Sequence, residues 1–539
     1  MNCRVGARFG VAGLLLCVCG YSWGLTTADK VKWKLRKVQL ALYTRLDKLP
    51  AKGATVELLT EKSPLCDEEV RFRRLRLPKC AKAQGKLIGR TVAANSALKV
   101  GIIFSGGGMR ACLVALGALM ELAELGIIDA SLAIGGLSGS TWAIIPWYLS
   151  EKPMAKFYDE HIKRIVSGLL LKNPGALMRD SANFVKIMTK IVARRLTLWE
   201  KPTIIDPYSL LLWLSLVDDK IRGEYLKMTL EGILPRIRTG DMPAPVMSLV
   251  APLPDYKYGW VDCWPWAIES TDLGFRLTPP SGLGSEFEAG KEVQRHYAVP
   301  VGLLLGAWGS AVSVSLYEAL GKTFGALPTK IKPSAMDEQL RNFGIPATLS
   351  QARFLPLAVS NPAYKLAGAP SESMATVMML DGGINYCLGF PPFERESRPF
   401  DLLVVVDASG DVPMGLNLHQ AALDAAAHDR PFAPVGDGWR AAGEKPFTVF
   451  FDETGQAPAI VYFPASVTNA VHPDYDKNFN PRKEIAPFRF MDTFNFLYTK
   501  DQAYKLTDFA RHMIKEGAGA IKSTMAKILA QKKGGAAPR

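Results

Sequence analysis

Two short apolar runs, each ending in glycines and each followed by a helix signal, constrain this chain more than any other feature. Residues 98–104 read LKVGIIF and run into Ser105-Gly106-Gly107-Gly108. An Ala- and Leu-rich stretch follows from about 110 to 125 and stops at Gly126, a common helix terminator. Residues 132–134 (LAI) then lead into Gly135-Gly136-Leu137-Ser138-Gly139-Ser140, and a second helix signal starts near Thr141. Strand, helix, strand, helix with apolar strands predicts a mainly parallel sheet covered by helices. Further buried strands are expected at 245–252, 375–380 and 401–406, and Pro- and Gly-rich loops near 278–285, 389–392 and 430–445. Residues 151–242 combine helical periodicity, many basic residues and several prolines, and read as a cap or insertion.

The glycines carry the chemistry. Gly136-Leu137-Ser138-Gly139-Ser140 places a serine among glycines between a strand and a helix, the setting of a nucleophile elbow. Flanking glycines permit the cramped turn that pushes a serine out at the head of the next helix, where developing negative charge is favoured. Gly106, Gly107 and Gly108 leave backbone amides free to face a ligand, as an oxyanion site needs. Gly106-x-Gly108-x-x-Ala111 also matches a dinucleotide fingerprint, but that reading requires an acidic residue ending the second strand. The second strand ends instead in Gly136-Leu137-Ser138. A nucleophilic serine needs a base. His419, His428, His472 and His512 stand late in the chain, none in a context that points to the elbow. Asp381, in Leu380-Asp381-Gly382-Gly383 after the apolar run Val377-Met378-Met379-Leu380, sits at a strand end and is the better candidate. Burial would raise its pKa and ease proton transfer from Ser138.

Taken together, Ser105-Gly106-Gly107-Gly108-Met109-Arg110-Ala111 and Gly136-Leu137-Ser138-Gly139-Ser140-Thr141-Trp142 resemble the catalytic domain shared by cytosolic phospholipases A2 and phospholipases B, within the patatin-like superfamily. The resemblance continues through Trp260-Val261 to Gly274, through Leu305-Gly306-Ala307-Trp308-Gly309-Ser310-Ala311, and through Phe494-Asn495-Phe496 with Tyr498-Thr499, so it runs from about 98 to about 510. It implies a Ser–Asp dyad without histidine: Ser138 as nucleophile, Asp381 as base, and Gly107 and Gly108 as oxyanion donors. It further implies that Arg110 and Arg398 bind the phosphate of a head group, with Arg395 a nearby competitor for the second place. A guanidinium suits that task because it grips phosphate oxygens bidentately. The implied fold is a three-layer α/β/α with a nucleophile elbow and a cap, and the implied activity is release of fatty acids from glycerophospholipids without metal or cofactor. Asp-Gly-Gly, where many cytosolic members have Asp-Ser-Gly, leans toward lysophospholipase activity. Two rivals stand beside this: a patatin-like esterase on neutral lipids, and an exported lipid-binding protein without turnover.

Composition settles the surroundings. Residues 25–95 are too few and too helical in pattern for the C2 domain of well-known animal members. Arg4 and Arg8, the apolar stretch 11–19 and Ser22-Trp23-Gly24 read as an export signal over 1–24. The expected plan is therefore a signal peptide at 1–24, a basic helical lead-in at 25–95 and a catalytic domain at 96–539. Export would make a Cys66–Cys80 disulfide possible. The net charge of +14 gathers toward the two ends. Residues 30–50, and a helix carrying Met513, Ile514, Ile521, Met525 and Ile528 between lysines, are amphipathic and basic. Each is either a docking helix with a solvated basic face or a seat on an anionic bilayer. A phospholipid membrane surface is the expected partner. No nucleic-acid motif and no metal-ligand spacing is present.

Overall fold

Every residue of Val100–Phe104 and of Ala133–Leu137 is buried, a pattern that belongs to strands covered on both faces. In the computed structural model, which describes residues 53–168, 187–191, 205–254, 257–295, 297–310, 357–466, 479–486, 489–493 and 495–534, these are two central strands. The expected signal at 1–24 and the basic helix at 30–50 lie outside the described residues. The strands are β1 (Thr55–Leu58), β2 (Val100–Phe104), β3 (Ala133–Leu137), β4 (Ala244–Pro252), β5 (Tyr258–Cys263), β6 (Ile268–Ser270), β7 (Phe275–Thr278), β8 (Ser285–Glu288), β9 (Lys291–Arg295), β10 (Leu357–Ser360), β11 (Thr376–Asp381), β12 (Leu402–Asp407), β13 (Thr448–Phe450) and β14 (Ala459–Pro464). They join in the order β13-β14-β12-β2-β3-β4-β5-β6-β7-β1-β9-β8, with β11 against β4 and β10 against β11.

The centre, β14-β12-β2-β3-β4, is parallel, as expected from the strand–helix alternation. From β4 outward the pairing turns antiparallel through β5, β6, β7, β1 and β9 to β8. Short connections join β4 through β7 and β8 to β9, since antiparallel neighbours need only a hairpin, while β1 enters between β7 and β9 from more than 200 residues earlier in the chain. The three strands expected late in the chain appear as β4, β11 and β12.

Eight helices of the described residues matter here: α1 (Asp67–Ile88), α2 (Gly108–Glu124), α3 (Thr141–Ser150), α4 (Met154–Gly168), α5 (Ile205–Leu216), α6 (Val301–Trp308), α7 (Leu416–Ala427) and α8 (Lys500–Gly534). Helix α2 is buried along most of its length, because α8 covers its outer side. The apolar residues of the C-terminal basic helix, Met513, Ile514, Ile521 and Met525, are 0% exposed. Arg511 clamps the pair by donating to Glu121 at 3.1 Å and Glu124 at 2.5 Å. This helix therefore docks on the body, and its apolar face is not available to a bilayer.

Within the expected lead-in, residues 55–58 form β1 inside the main sheet and α1 is anchored to the body. Arg76, 1% exposed, donates to the carbonyls of Ile128, Asp129, Ser131, Gly240 and Asp241. The described part of 25–95 is thus threaded into the main body rather than preceding it. The Cys66–Cys80 pairing is corrected by the same helix. Cys66 is the residue before α1 and Cys80 lies inside it, and both are free thiols. Fourteen residues of helical rise separate them by about 21 Å, far beyond the reach of a disulfide.

Within the expected cap, α4 and α5 are described and the segments 169–186 and 192–204 are not. Helix α5 packs on α6, which carries Gly306, Ala307 and Trp308 of the Gly-Ala-Trp-Gly-Ser stretch, and Trp142 of α3 donates its indole N–H to Leu305 of α6 at 3.2 Å.

Candidate active site

Strand β4 works as a ruler. On one edge, parallel β3 runs beside it until Leu137 stands opposite Ser248. At the next position Asp381, the last residue of antiparallel β11, stands opposite Leu249. Strand β5 occupies the other edge over the same stretch, so β3 and β11 meet end to end on one side of β4. That meeting brings residues 138 and 381 together across a separation of 243 in sequence.

Ser138 follows β3 directly and opens the turn Ser138–Ser140 into α3. Its φ of +52° is rare for a residue with a side chain and is what a sharp strand-to-helix turn imposes. Ser140 Oγ accepts from Leu137 N–H at 2.9 Å, and Thr141 Oγ1 donates to Ser138 O at 2.6 Å, fixing the turn. Position 139 has to be glycine, since a Cβ there would stand 1.9 Å from Gly108 O. Ser138 Oγ donates to Asp381 Oδ2 at 2.7 Å, and Asp381 Oδ1 accepts from Gly383 N–H at 2.9 Å. Asp381 is 0% exposed and Ser138 7%, so the expected burial of the aspartate is present.

The glycine loop lies between β2 and α2, beside the elbow. Gly106 N–H donates to Cys387 O at 2.9 Å. Gly107 precedes α2 and Gly108 is its first residue, with φ of +134° and +65°. Amides at a helix N-terminus have no carbonyl four residues back and carry the positive end of the helix dipole. A serine at a helix head, a carboxylate on its hydroxyl and amides at a second helix head are the parts of an acyl-transfer site.

Both arginines expected to bind a head group are buried and engaged by protein groups. Arg110 is 0% exposed. Its Nε donates to Ala408 O at 2.7 Å, its Nη1 to Met491 O, and its Nη2 to Thr493 Oγ1 at 3.2 Å. Burial lowers its pKa, with Tyr498, Cys387, Asp492 and Asp407 acting in the other direction. Arg398, also 0% exposed, donates from Nε and Nη2 to Glu69 and from Nη2 to Glu269, and lies 4.7 Å over the Trp264 ring. Its competitor Arg395 reaches the same Glu269 at 3.1 Å. Each guanidinium is thus engaged by protein carbonyls, a hydroxyl or carboxylates, and Arg395 and Arg398 also line a cavity.

The histidines are occupied elsewhere. His419 stacks on Trp439 with ring centroids 4.5 Å apart, and His428 and His512 each place Nδ1 2.8 Å from a backbone carbonyl four residues back. His472 lies outside the described residues, as does Phe494 of the late aromatic stretch. His161 sits buried beneath α3 with Nε2 3.0 Å from Trp142 O, and burial lowers its pKa to about 3.

Sequence reasoning missed a polar row that starts next to the elbow. Ser248, opposite Leu137, pairs across to Asp262; Asp262 pairs to Glu269, Glu269 to Arg276, and Arg276 to Glu57. Ser248 Oγ donates to Asp262 Oδ1 at 3.2 Å and Arg276 Nε to Glu269 Oε1 at 2.7 Å. Burial alone would raise the Glu269 pKa, but Arg398, Arg395 and Arg276 outweigh it and hold it at about 2. Burial pushes Asp262 up to about 7 against the pull of Arg398. A cavity lined by Trp260, Asp262, Glu269, Arg395 and Arg398 lies along this row. The alternation of charge with apolar residues in β5 to β7 is the one signal that could have revealed it.

Comparison with known proteins identifies relatives of this chain and of its fold. The family model described as the lysophospholipase catalytic domain matches residues 100–425. Cytosolic phospholipase A2 gamma of Mus musculus is 28% identical over 244 residues, which is 44% of this chain and 37% of that protein. The chain therefore spans little more than a third of that relative's length. Human GIVD cytosolic phospholipase A2 superposes with a TM-score of 0.69 at 20% identity, covering 90% of this chain and 67% of that one. The same human protein in complex with methyl gamma-linolenyl fluorophosphonate inhibitor and terbium chloride gives 0.64 at 21% identity, again over 90% and 67%. At such identities the structural likeness shows the fold. These relatives are cytosolic phospholipases, and that finding overturns the expectation of an exported protein with a signal peptide. Because the matched region takes in more than half of the sequence, the chain belongs to the lysophospholipase catalytic-domain family.

Proposed function

We propose that this protein hydrolyses the fatty acyl esters of glycerophospholipids, as a serine acyl hydrolase of the phospholipase A2 and lysophospholipase type. The carrying observation is the 2.7 Å hydrogen bond from Ser138 Oγ to the buried Asp381 carboxylate, at a serine held with positive φ. In this reading Asp381 takes the hydroxyl proton as Ser138 attacks the ester carbonyl. The Gly107 and Gly108 amides receive the oxyanion. Asp381 then returns the proton to the departing alcohol, leaving an acyl-serine. Water enters and gives one proton to Asp381 as its oxygen attacks the acyl carbonyl; the bond to Ser138 Oγ then breaks, Asp381 returns that proton to Oγ, and the fatty acid and the free serine are released. The Gly383 amide on Oδ1 keeps the carboxylate turned so that Oδ2 faces the serine. Phospholipid membranes are the natural source of substrate, and the net charge of +14 favours anionic surfaces.

The engagement of Arg110 and Arg398 by protein groups favours a second reading, an esterase indifferent to the head group and active on neutral lipids. One assay addresses both. Wild type and Ser138→Ala are incubated with phosphatidylcholine, lysophosphatidylcholine and diacylglycerol vesicles, with anionic lipid varied, and products are identified by mass spectrometry. Wild type is expected to release fatty acid and the variant to lose at least about 10⁴-fold of that rate. Retained turnover in Ser138→Ala removes the dyad; faster release from diacylglycerol than from either phospholipid selects the second reading.

A further inference from the structure

We propose that Arg110 is a positioning residue for the oxyanion loop, acting through backbone clamps rather than on the substrate's phosphate; this rests on the acyl-hydrolase reading above. Arg110 stands in the first turn of α2, two residues beyond Gly108. Its three acceptors come from distant parts of the chain: Ala408, just after β12, and Met491 and Thr493 in the late segment. These are the same backbones against which the two oxyanion glycines lie. A Cβ on Gly107 would stand 2.5 Å from Ala408 O, and one on Gly108 would stand 2.2 Å from Thr493 O. The Gly107 Cβ position is also 2.8 Å from Arg110 Nη2. On its other face the loop touches the elbow, where Gly108 O crowds position 139.

The loop is therefore held on three sides: elbow, post-β12 turn and late segment. The guanidinium is what ties the last two to α2. Ser105 Oγ adds a further tie by accepting Ala408 N–H at 2.6 Å. A planar fork with donors in several directions suits one residue binding three acceptors at once, which an ammonium on a flexible stem does not reproduce. The acceptors are two neutral carbonyls and a hydroxyl, and the side chain is 0% exposed, so the side chain faces protein on every described side. Amide donors act on an oxyanion only when aimed to within about 0.5 Å, and displacing a reacting geometry by about 1 Å costs on the order of 10²-fold in rate.

The two roles separate by substrate. Wild type, Arg110→Lys and Thr493→Val are assayed for kcat and KM on lysophosphatidylcholine and on p-nitrophenyl butyrate, a neutral ester. The expected result for Arg110→Lys is a loss of about 10²-fold in kcat on both substrates, with KM changed by less than about threefold on either. Thr493→Val, which removes one clamp, is expected to lower kcat on both by a common, smaller factor. The proposal is overturned if Arg110→Lys keeps its turnover of the neutral ester while KM for the phosphorylated substrate rises, since that is the signature of phosphate binding. If Arg110→Lys does not fold, Thr493→Val decides: parallel loss supports the clamp, and unchanged kcat on both substrates overturns it. A wild type inactive on both substrates is a different failure, because it removes the hydrolase reading and this inference with it.

Discussion

The two sides of β4 hold carboxylates under opposite regimes. On one side Asp381 accepts from a hydroxyl and an amide. On the other, two strands out, Glu269 accepts from Arg276, Arg395 and Arg398. Guanidiniums within hydrogen-bond reach fix a carboxylate in its ionised form and push its pKa down. A carboxylate meant to take a proton from a serine cannot be held that way, since its basicity would be lost. On the proposed mechanism, the same strand therefore separates a carboxylate that takes a proton from one that holds strands together. Asp262 stands between the regimes: it is half-buried, bonded to Ser248 and within the field of Arg398, and desolvation raises its pKa to about 7.

The sharpest way to break the contrast is Asp381→Asn. Fatty acid release is expected to fall by about 10⁴-fold while the thermal midpoint moves little, because the amide still meets the Ser138 hydroxyl and the Gly383 amide site loses only part of one bond. A large loss of stability with residual turnover would place Asp381 in the structural regime instead. On the other side, Arg398→Met leaves Glu69 and Glu269 short of a partner, and removing one member of a buried pair costs about 3–5 kcal/mol. Chemical denaturation is expected to register that cost, and the activity of the folded fraction should be equal on phosphorylated and neutral esters. A raised KM confined to phospholipid, at unchanged stability, would return Arg398 to the head group.

The smallest effect is expected at Asp262. Its folded pKa lies above the ordinary carboxylate value, so the folded chain binds the proton more tightly than the unfolded one. Stability from this group is then greatest below about pH 4 and declines as pH rises toward 7. Asp262→Asn should remove that slope, leaving the variant more stable than wild type at pH 8 by about 2–4 °C in thermal midpoint. Parallel slopes in the two proteins would mean that Asp262 is ionised throughout and belongs with Glu269.

How far the sequence reached follows the same division. Val100–Phe104, Ala133–Leu137 and the turn at Ser138 are local patterns: apolar runs, glycines and a helix start within a few residues. The place of Asp381 at a strand end was legible because an apolar run ends on it before two glycines, and the family resemblance supplied its expected role. What stayed hidden depends on register between distant strands. Nothing near Ser248 announces that Leu137 and Asp262 flank it, and nothing near Arg110 announces Ala408, Met491 or Thr493, 298 to 383 residues away. The arginines were read by type, as phosphate ligands, and their carbonyl and carboxylate partners depend on contacts the sequence does not display. The cysteines were read by spacing, where a single helix keeps them apart.

The covering of α2 by α8 bears on how the protein is made. The residues that build the glycine loop and the elbow are all synthesised by position 150, early in translation. Thr493, Met491 and the helix that shields α2 come only after position 488. Until those residues leave the ribosome, the buried flank of α2 has nothing to lie against, and a nascent chain must keep that surface from straying. On the proposed mechanism, a chain stopped between residues 150 and 489 carries the elbow serine but lacks the Met491 and Thr493 acceptors that brace the oxyanion loop through Arg110.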